Sequence, residues 1–258
     1  MKITIFGSAS GIPEKGKAHS CVGVEVGEKM FLLEIGEGAS SSIAGDDLDI
    51  EKIEKVFISH THADHFIGLP RFLQYLKWRG RKKDIEIYLP EKHIDAVEKF
   101  LPFLYIFRER FEFEYKFLPL PKDELILTEN LKIKLFPTSH LKKYRKYSDI
   151  YGVETTSYGY LVEEVLNDGI GVKRFLFSSD IDSVGELKNF IEGVDLLLIE
   201  CAHIGIEDII EFVSEYNVPK VILTHISPDR DVNFMLEYAR AKFDLNIEVA
   251  FDGMKIEI

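Results

Sequence analysis

The chain has 258 residues, 46% of them apolar and 29% charged, which is the balance of a soluble globular protein. That composition excludes a disordered chain, a collagen-like repeat and a disulfide scaffold; the two cysteines, Cys21 and Cys201, read as free buried thiols. With 32 basic against 44 acidic side chains the formal charge is −12, which taken alone speaks against a polyanionic partner. No apolar run approaches the roughly 18 residues of a membrane span. The N-terminus lacks the apolar core and cleavage site of a signal peptide. The expectation is a cytoplasmic protein with no membrane partner.

Strand-like runs dominate the first sixty residues: Lys2–Phe6, Cys21–Val26, Met30–Ile35 and Lys55–Ser59, parted by glycine turns. Apolar spacing at Phe66, Leu69, Phe72, Leu73 and Leu76 predicts a helix from Phe66 to Arg79. Ile85–Leu89 reads as a strand, Glu91–Phe100 as a helix, and 101–130 as aromatic-rich β structure. In the second half Leu131–Phe136, Ser157–Glu163, Arg174–Ser178, Asp195–Ile199 and Val218–Thr224 read as strands. Val184–Ile191, Ile206–Tyr216 and Val232–Lys242 read as helices. Ile247–Phe251 and Met254–Ile258 suggest a hairpin about Asp252-Gly253. Strands alternating with helices in both halves give an α/β layered fold of two β-rich halves face to face, helices outside. No linker divides residues 1–258, so one domain is expected.

The chemistry concentrates in His60-Thr61-His62-Ala63-Asp64-His65, directly after the apolar strand Val56-Phe57-Ile58-Ser59. Imidazole and carboxylate together suit zinc, iron or manganese. His60 and His62 lie two apart and share a side of an extended segment. Asp64 and His65 turn away, placed to serve a second ion. A solvated polar turn is the plain alternative, but further candidates complete the cluster. His140, Asp180 and His225 each come just after an apolar strand. If those strands lie side by side, all three reach one edge.

These motifs resemble those of the metallo-β-lactamase-fold hydrolases, most closely the ribonuclease Z and phosphodiesterase branch. The resemblance spans essentially the whole chain. Phe6-Gly7-Ser8-Ala9-Ser10-Gly11-Ile12-Pro13 is similar to that branch's N-terminal glycine loop. Asp64-His65-Phe66-Ile67-Gly68-Leu69-Pro70 is similar to its helix start, and Leu223-Thr224-His225-Ile226-Ser227 to its last histidine motif. The resemblance implies a four-layer αββα sandwich with two divalent ions at one edge, zinc first, with manganese or iron as alternatives. It implies that His60, His62 and His140 hold one ion, that Asp64, His65 and His225 hold the other, and that Asp180 bridges them. Asp64 thus counts among the catalytic residues as well as the ligands. The implied chemistry is attack by a metal-bridging hydroxide. It also suggests a homodimer.

Two stretches depart from the pattern. The branch has Asp-x-Gly after its early strand, where this chain has Glu34-Ile35-Gly36; Glu34 is the candidate to orient a ligand histidine with a longer arm. The branch also has a His-Glu pair where this chain has Ile199-Glu200, and His203 stands three residues beyond Glu200. His203 is the candidate proton donor with Glu200 behind it, against the plain reading of a histidine capping the helix from Ile206. His19 and His93 read as a loop residue and a solvated helix-start residue.

Charge is unevenly spread. Residues 71–83 and 141–147 hold ten basic side chains and no acid, so the other 22 face all 44 acids and carry −22. Each basic stretch follows a ligand motif, which suits a phosphate-bearing substrate; a solvated charged face is the alternative. Segment 141–156 is expected to be an active-site loop. The expected activity is a metal-dependent phosphodiesterase or nuclease acting on a small phosphodiester or short nucleic acid. The resemblance implies that full tRNA fits poorly, because the long Gly/Pro-rich arm by which ribonuclease Z grips tRNA has no counterpart here between His140 and Asp180. A hydrolase of a carboxyl ester, lactone or thioester is the second reading, and a non-enzymatic metal-binding module the third.

Overall fold

The computed structural model describes residues 1–166 and 169–258. In chain order its strands are β1 (Lys2–Gly7), β2 (Cys21–Val26), β3 (Lys29–Leu33), β4 (Ile53–Phe57), β5 (Ile85–Leu89), β6 (Tyr115–Pro119), β7 (Leu125–Ile126), β8 (Leu131–Thr138), β9 (Ser157–Val165), β10 (Val172–Phe177), β11 (Leu196–Glu200), β12 (Lys220–Thr224), β13 (Ile247–Val249) and β14 (Met254–Glu257). The helices are α1 (Ala39–Gly45), α2 (Ala63–Phe66), α3 (Leu69–Trp78), α4 (Ile94–Phe100), α5 (Arg145–Tyr151), α6 (Ile206–Ser214) and α7 (Asn233–Phe243). The strands form two seven-stranded sheets, ordered β14-β1-β2-β3-β4-β5-β6 and β13-β12-β11-β10-β9-β8-β7.

Strand periodicity divides the apolar residues among three cores. In β3, Phe31 and Leu33 face the central core between the sheets, while Met30 and Leu32 face an outer core beneath α1, α3 and α4. In β11, Leu196 and Leu198 face the centre, while Leu197 and Ile199 face the outer core beneath α6 and α7. Both faces of β11 are covered, so its sequence is a continuous apolar run rather than an alternation. Each fully buried Leu or Ile contributes about 2 kcal/mol. Three cores between four layers make the expected αββα sandwich.

Several local expectations are corrected. The helix from Phe66 to Arg79 is two helices, α2 and α3, broken at Gly68. There the Gly68 amide donates to the Ile35 carbonyl at 3.0 Å. A Cβ on Gly68 would stand 2.0 Å from the Gly36 carbonyl oxygen. Residues 101–113 are mostly 3-10 turns, and Val184–Leu187 is a 3-10 turn rather than a helix. The C-terminal hairpin does not form. β13 joins β12 in one sheet, whereas β14 pairs antiparallel with β1 in the other, so Asp252-Gly253 is a crossing between sheets.

The strand directions position the site. β3 to β6 run parallel, as do β10 to β13, and β8 points the same way as β10 because each is antiparallel to β9. The C-terminal ends of β3, β4, β8, β10, β11 and β12 therefore share one edge. Gly68→Ala is expected to displace the start of α3 and destabilise the protein by about 3 kcal/mol, read from denaturant unfolding. A variant as stable as the parent would contradict the close packing of Gly68 on Gly36.

Candidate metal centre

The shared edge receives Glu34 from β3, His60, His62, Asp64 and His65 from β4 and α2, His140 from β8, Asp180 from β10, Glu200 from β11 and His225 from β12. Glu34, Ser179 and His225 each turn off a strand with positive φ, at 65°, 46° and 53°. Such left-handed backbone costs a non-glycine residue on the order of 1 kcal/mol. Asp47, Tyr105 and Asp244 adopt it elsewhere, but at this edge it occurs three times, just after strands that deliver site residues.

Two groups of donor atoms face each other across Asp180. In the first, His60 Nε2 and His62 Nδ1 lie 3.0 Å apart, and His62 Nδ1 and His140 Nε2 3.3 Å apart. Asp180 Oδ2 is 3.7 Å from His60 Nε2 and 3.4 Å from His140 Nε2. In the second, His225 Nε2 is 3.0 Å and His65 Nε2 3.6 Å from Asp64 Oδ2, while Asp180 Oδ1 is 3.2 Å from His65 Nε2. Ligand atoms about 2.1 Å from one tetrahedral ion stand roughly 3.4 Å apart. The observed separations fit that. Three atoms that face one another at the centre, His65 Nε2, Asp180 Oδ1 and His225 Nδ1, are buried without a hydrogen-bond partner among the described residues. Orphaned nitrogen and oxygen donors of this kind are what a bound cation satisfies. His203 belongs to a third grouping with Asp180 and His225, but its Nδ1 is 4.0 Å from Asp180.

Burial, reinforced by the neighbouring imidazoles, pushes His60 well below its ordinary pKa. Burial lowers His62 too, and takes His140 down to about 3. All three are neutral, as ligands must be. His65 goes the other way: burial opposes its charge, but Asp180 and Glu34 outweigh it and raise the pKa well above the usual value. For Asp180 burial is likewise outweighed, by His225, His65 and His60, and the carboxyl is held well below the usual range.

Glu34 anchors the centre from beneath and is fully buried. Its carboxylate accepts from the Ser59 amide at 3.1 Å, the Tyr160 hydroxyl at 2.9 Å and the Ser179 hydroxyl at 3.2 Å. Its Oε2 is 3.6 Å from His65 Nδ1. The longer arm thus reaches the position expected of it and ties the ends of β4 and β10 together. Ser59, Tyr160 and Ser179 carry no signal in the sequence, because a hydroxyl supporting a carboxylate looks like any other polar strand residue. Asp252 braces the opposite side. It accepts from the Ser8 amide at 2.9 Å, the Ser8 hydroxyl at 2.8 Å and the Ala18 amide at 2.6 Å, while the Ser8 carbonyl accepts from the His225 amide at 3.0 Å.

Glu200 is also fully buried, and accepts from the Ala202 and His203 amides at 2.8 and 2.9 Å and meets His203 Nδ1 at 3.1 Å. Burial disfavours the His203 cation, but the Glu200 hydrogen bond and charge outweigh it and raise the pKa. The His203 ring lies 4.4 Å from that of His140. Arg230 holds the same loop from outside, donating to the Cys201 carbonyl at 2.8 Å and to the Ile204 carbonyl.

The basic segments are corrected in part. Arg81 is 1% exposed and donates to the carbonyls of Ile50, Ile53, Lys83 and Asp84, so it is structural. Lys82 pairs with Glu112. The second segment does adjoin the centre: the Lys143 charge is felt by His62, His140 and His203. A cavity of about 270 Å³ opens beside His60 and His62, lined by Leu141, Tyr144, Tyr147 and Tyr151. His93 also lines it and is not solvated as expected. His19 is buried, its Nδ1 2.6 Å from the Ser10 carbonyl, with no place in either donor group.

Residues 1–229 match the protein family described as Anti-Pycsar protein Apyc1. The chain belongs to that family. A ribonuclease Z of Methanococcus maripaludis is 26% identical over 310 aligned positions covering all of both chains. The metallo-β-lactamase fold protein YhfI of Bacillus subtilis aligns with a TM-score of 0.77 at 20% identity, over 100% of this chain and 99% of that one. A diphosphatase of the PhnP family aligns with a TM-score of 0.71 at 18% identity, over 100% and 97%. The fold is that of the metallo-β-lactamases, in the ribonuclease Z-like branch expected from the motifs. The branch and the His and Asp donor groups together make this member a metal-dependent hydrolase with a centre suited to divalent metal. Among the described residues no helix is long and apolar enough to cross a membrane.

Glu34→Ala removes an acceptor shared by three buried donors, two of which keep a second partner, and is expected to cost about 2–3 kcal/mol, whereas Tyr160→Phe removes one donor and costs about 1 kcal/mol. Denaturant unfolding of the metal-free protein measures both, and equal costs would show that Glu34 is not the hub.

Proposed function

We propose that the chain is a dinuclear metal phosphodiesterase acting on a small phosphodiester or short nucleic acid. His60, His62 and His140 would hold one ion and Asp64, His65 and His225 the other, zinc being the ion that this mixed imidazole and carboxylate set suits first. The observation that carries the reading is Asp180, whose two oxygens face the two donor groups separately. When bound, divalent ions lower the pKa of water and draw charge from phosphoryl oxygens.

The protein's own groups supply the rest. Glu34 orients His65 through Nδ1, fixing which nitrogen is presented to the centre. His203 protonates the departing alkoxide, and Glu200 holds its Nδ1 so that Nε2 is the nitrogen offered. That role accords with its raised pKa and with the absence of a protein partner for Nε2 among the described residues. Lys143 meets the phosphate charge at the rim, and the cavity of about 270 Å³ takes one ester substituent. Forty residues separate His140 from Asp180 without a long arm, which favours a small substrate over a folded tRNA.

Asp180→Ala should abolish turnover of a chromogenic phosphodiester and remove bound metal, measured by elemental analysis beside activity. Full metal content with substantial turnover would sink the bridging role. His203→Gln should keep the metal and lower kcat about a hundredfold. Its effect should be smaller with a nitrophenolate leaving group, which needs no proton, than with an alkoxide. A parent enzyme that hydrolyses thioesters and lactones but no phosphodiester, with zinc, manganese or iron supplied, would overturn the proposal.

A further inference from the structure

His93 lies outside every ligand motif above, in the turn after β5. Its imidazole nonetheless meets both the metal edge and segment 141–156. Nε2 accepts the Glu154 amide at 2.8 Å, and Nδ1 lies 2.9 Å from the hydroxyl of Thr61, the residue between His60 and His62. A backbone N–H can only donate, so Nε2 is the unprotonated nitrogen. Nδ1 therefore carries the proton and donates to Thr61. One neutral ring thus joins two parts of the chain that share no strand.

Segment 141–156 has little else to hold it. Leu141 is its one buried residue. Tyr147 is 40%, Ile150 69% and Tyr151 72% exposed. Its other hydrogen bonds are largely internal: the Ser148 hydroxyl donates to the Val153 carbonyl at 2.9 Å, and the Glu154 carboxylate accepts from the Thr155 amide at 2.8 Å. Tyr144 reaches back to the His62 ring, with centroids 5.6 Å apart. Between the segment and the metal edge lies the tyrosine-lined cavity, with His93 and Thr61 in its wall. A weakly packed segment over a reaction edge, held at one polar point, is built as a lid is built.

We infer that His93 is a positioning residue that latches segment 141–156 to the Thr61 loop and so sets the width of the cavity beside His62. It touches neither donor group through a hydrogen bond and takes no part in the chemistry. Releasing the latch frees the lid and widens the cavity, so bulky ester groups lose their fit while the metal edge is undisturbed. Glutamine can replace it, because its amide carries one acceptor and one donor end.

The test compares the parent, His93→Ala, His93→Gln and Thr61→Val, all metal-loaded. Hydrogen exchange of the Glu154 amide, with limited proteolysis between 141 and 156, reads the latch without any assay of activity. His93→Ala should speed exchange and cleavage by about tenfold or more, with unchanged metal content. His93→Gln should restore most of the protection, and Thr61→Val should loosen the segment less than His93→Ala. With bis(p-nitrophenyl) phosphate, His93→Ala should raise KM several-fold and leave kcat within about twofold, a split that general loss of stability does not produce. Unchanged exchange and cleavage in His93→Ala, or loosening that His93→Gln does not reverse, would overturn the latch. A parent without phosphodiesterase activity would overturn the proposed reaction while leaving the exchange result to decide the latch.

Discussion

Three carboxylates, Glu34, Asp180 and Glu200, are removed from water at one edge of the sandwich. An ionised carboxylate in a protein interior is costly unless it is paired and fully hydrogen-bonded. Each is compensated differently. Glu34 draws on hydroxyls and an amide, Glu200 on the amides of its own loop, and Asp180 on histidines from both halves of the chain. Of these three, Asp180 alone is left with a buried oxygen short of a hydrogen-bond partner among the described residues. The edge is built around that unsatisfied demand, and the acids on either side hold the imidazoles in the positions that meet it.

The sheets exist in the form they do because of this edge. Parallel strands bring C-terminal ends together, and here six such ends deliver one or more acids or histidines each. Elsewhere the strands are ordinary: apolar on both faces where covered, antiparallel where the chain can turn back. Three of the left-handed residues, Glu34, Ser179 and His225, stand at this edge, where each turns a strand end toward the centre.

Much of this was legible in the residues. A ligand-type residue after an apolar strand is readable because strand ends are marked by where hydrophobicity stops, and His60, His140, Asp180 and His225 all obeyed that rule. Glu34 was readable as a candidate because an acid directly after an early strand is placed to reach the ligand histidines, and its carboxylate does come within 3.6 Å of His65 Nδ1. The failures share a cause. Local pattern says nothing of which distant segment a side chain will meet. His93 sits among charged residues and looked solvated, yet segment 141–156 folds over it. Arg81 belongs to a basic stretch read as suiting a phosphate-bearing substrate, yet four carbonyls converge on its guanidinium. The strands around Asp252-Gly253 had hairpin spacing, and only the competing partners, β12 and β1, decided that they part.

That parting has a temporal consequence. The crossing at Asp252 grips Ser8, and Ser8 in turn supports the backbone of His225, so the segment that steadies the last histidine motif spans nearly the full chain in sequence. Contacts of such long range form slowly, because the loop they close costs entropy before any contact compensates it. During synthesis the strands carrying His60 and His140 are complete well before residue 252 leaves the ribosome. The support of the last histidine motif is therefore complete only when residues near both ends of the chain have met, and a cation that needs the whole donor set depends on that closure.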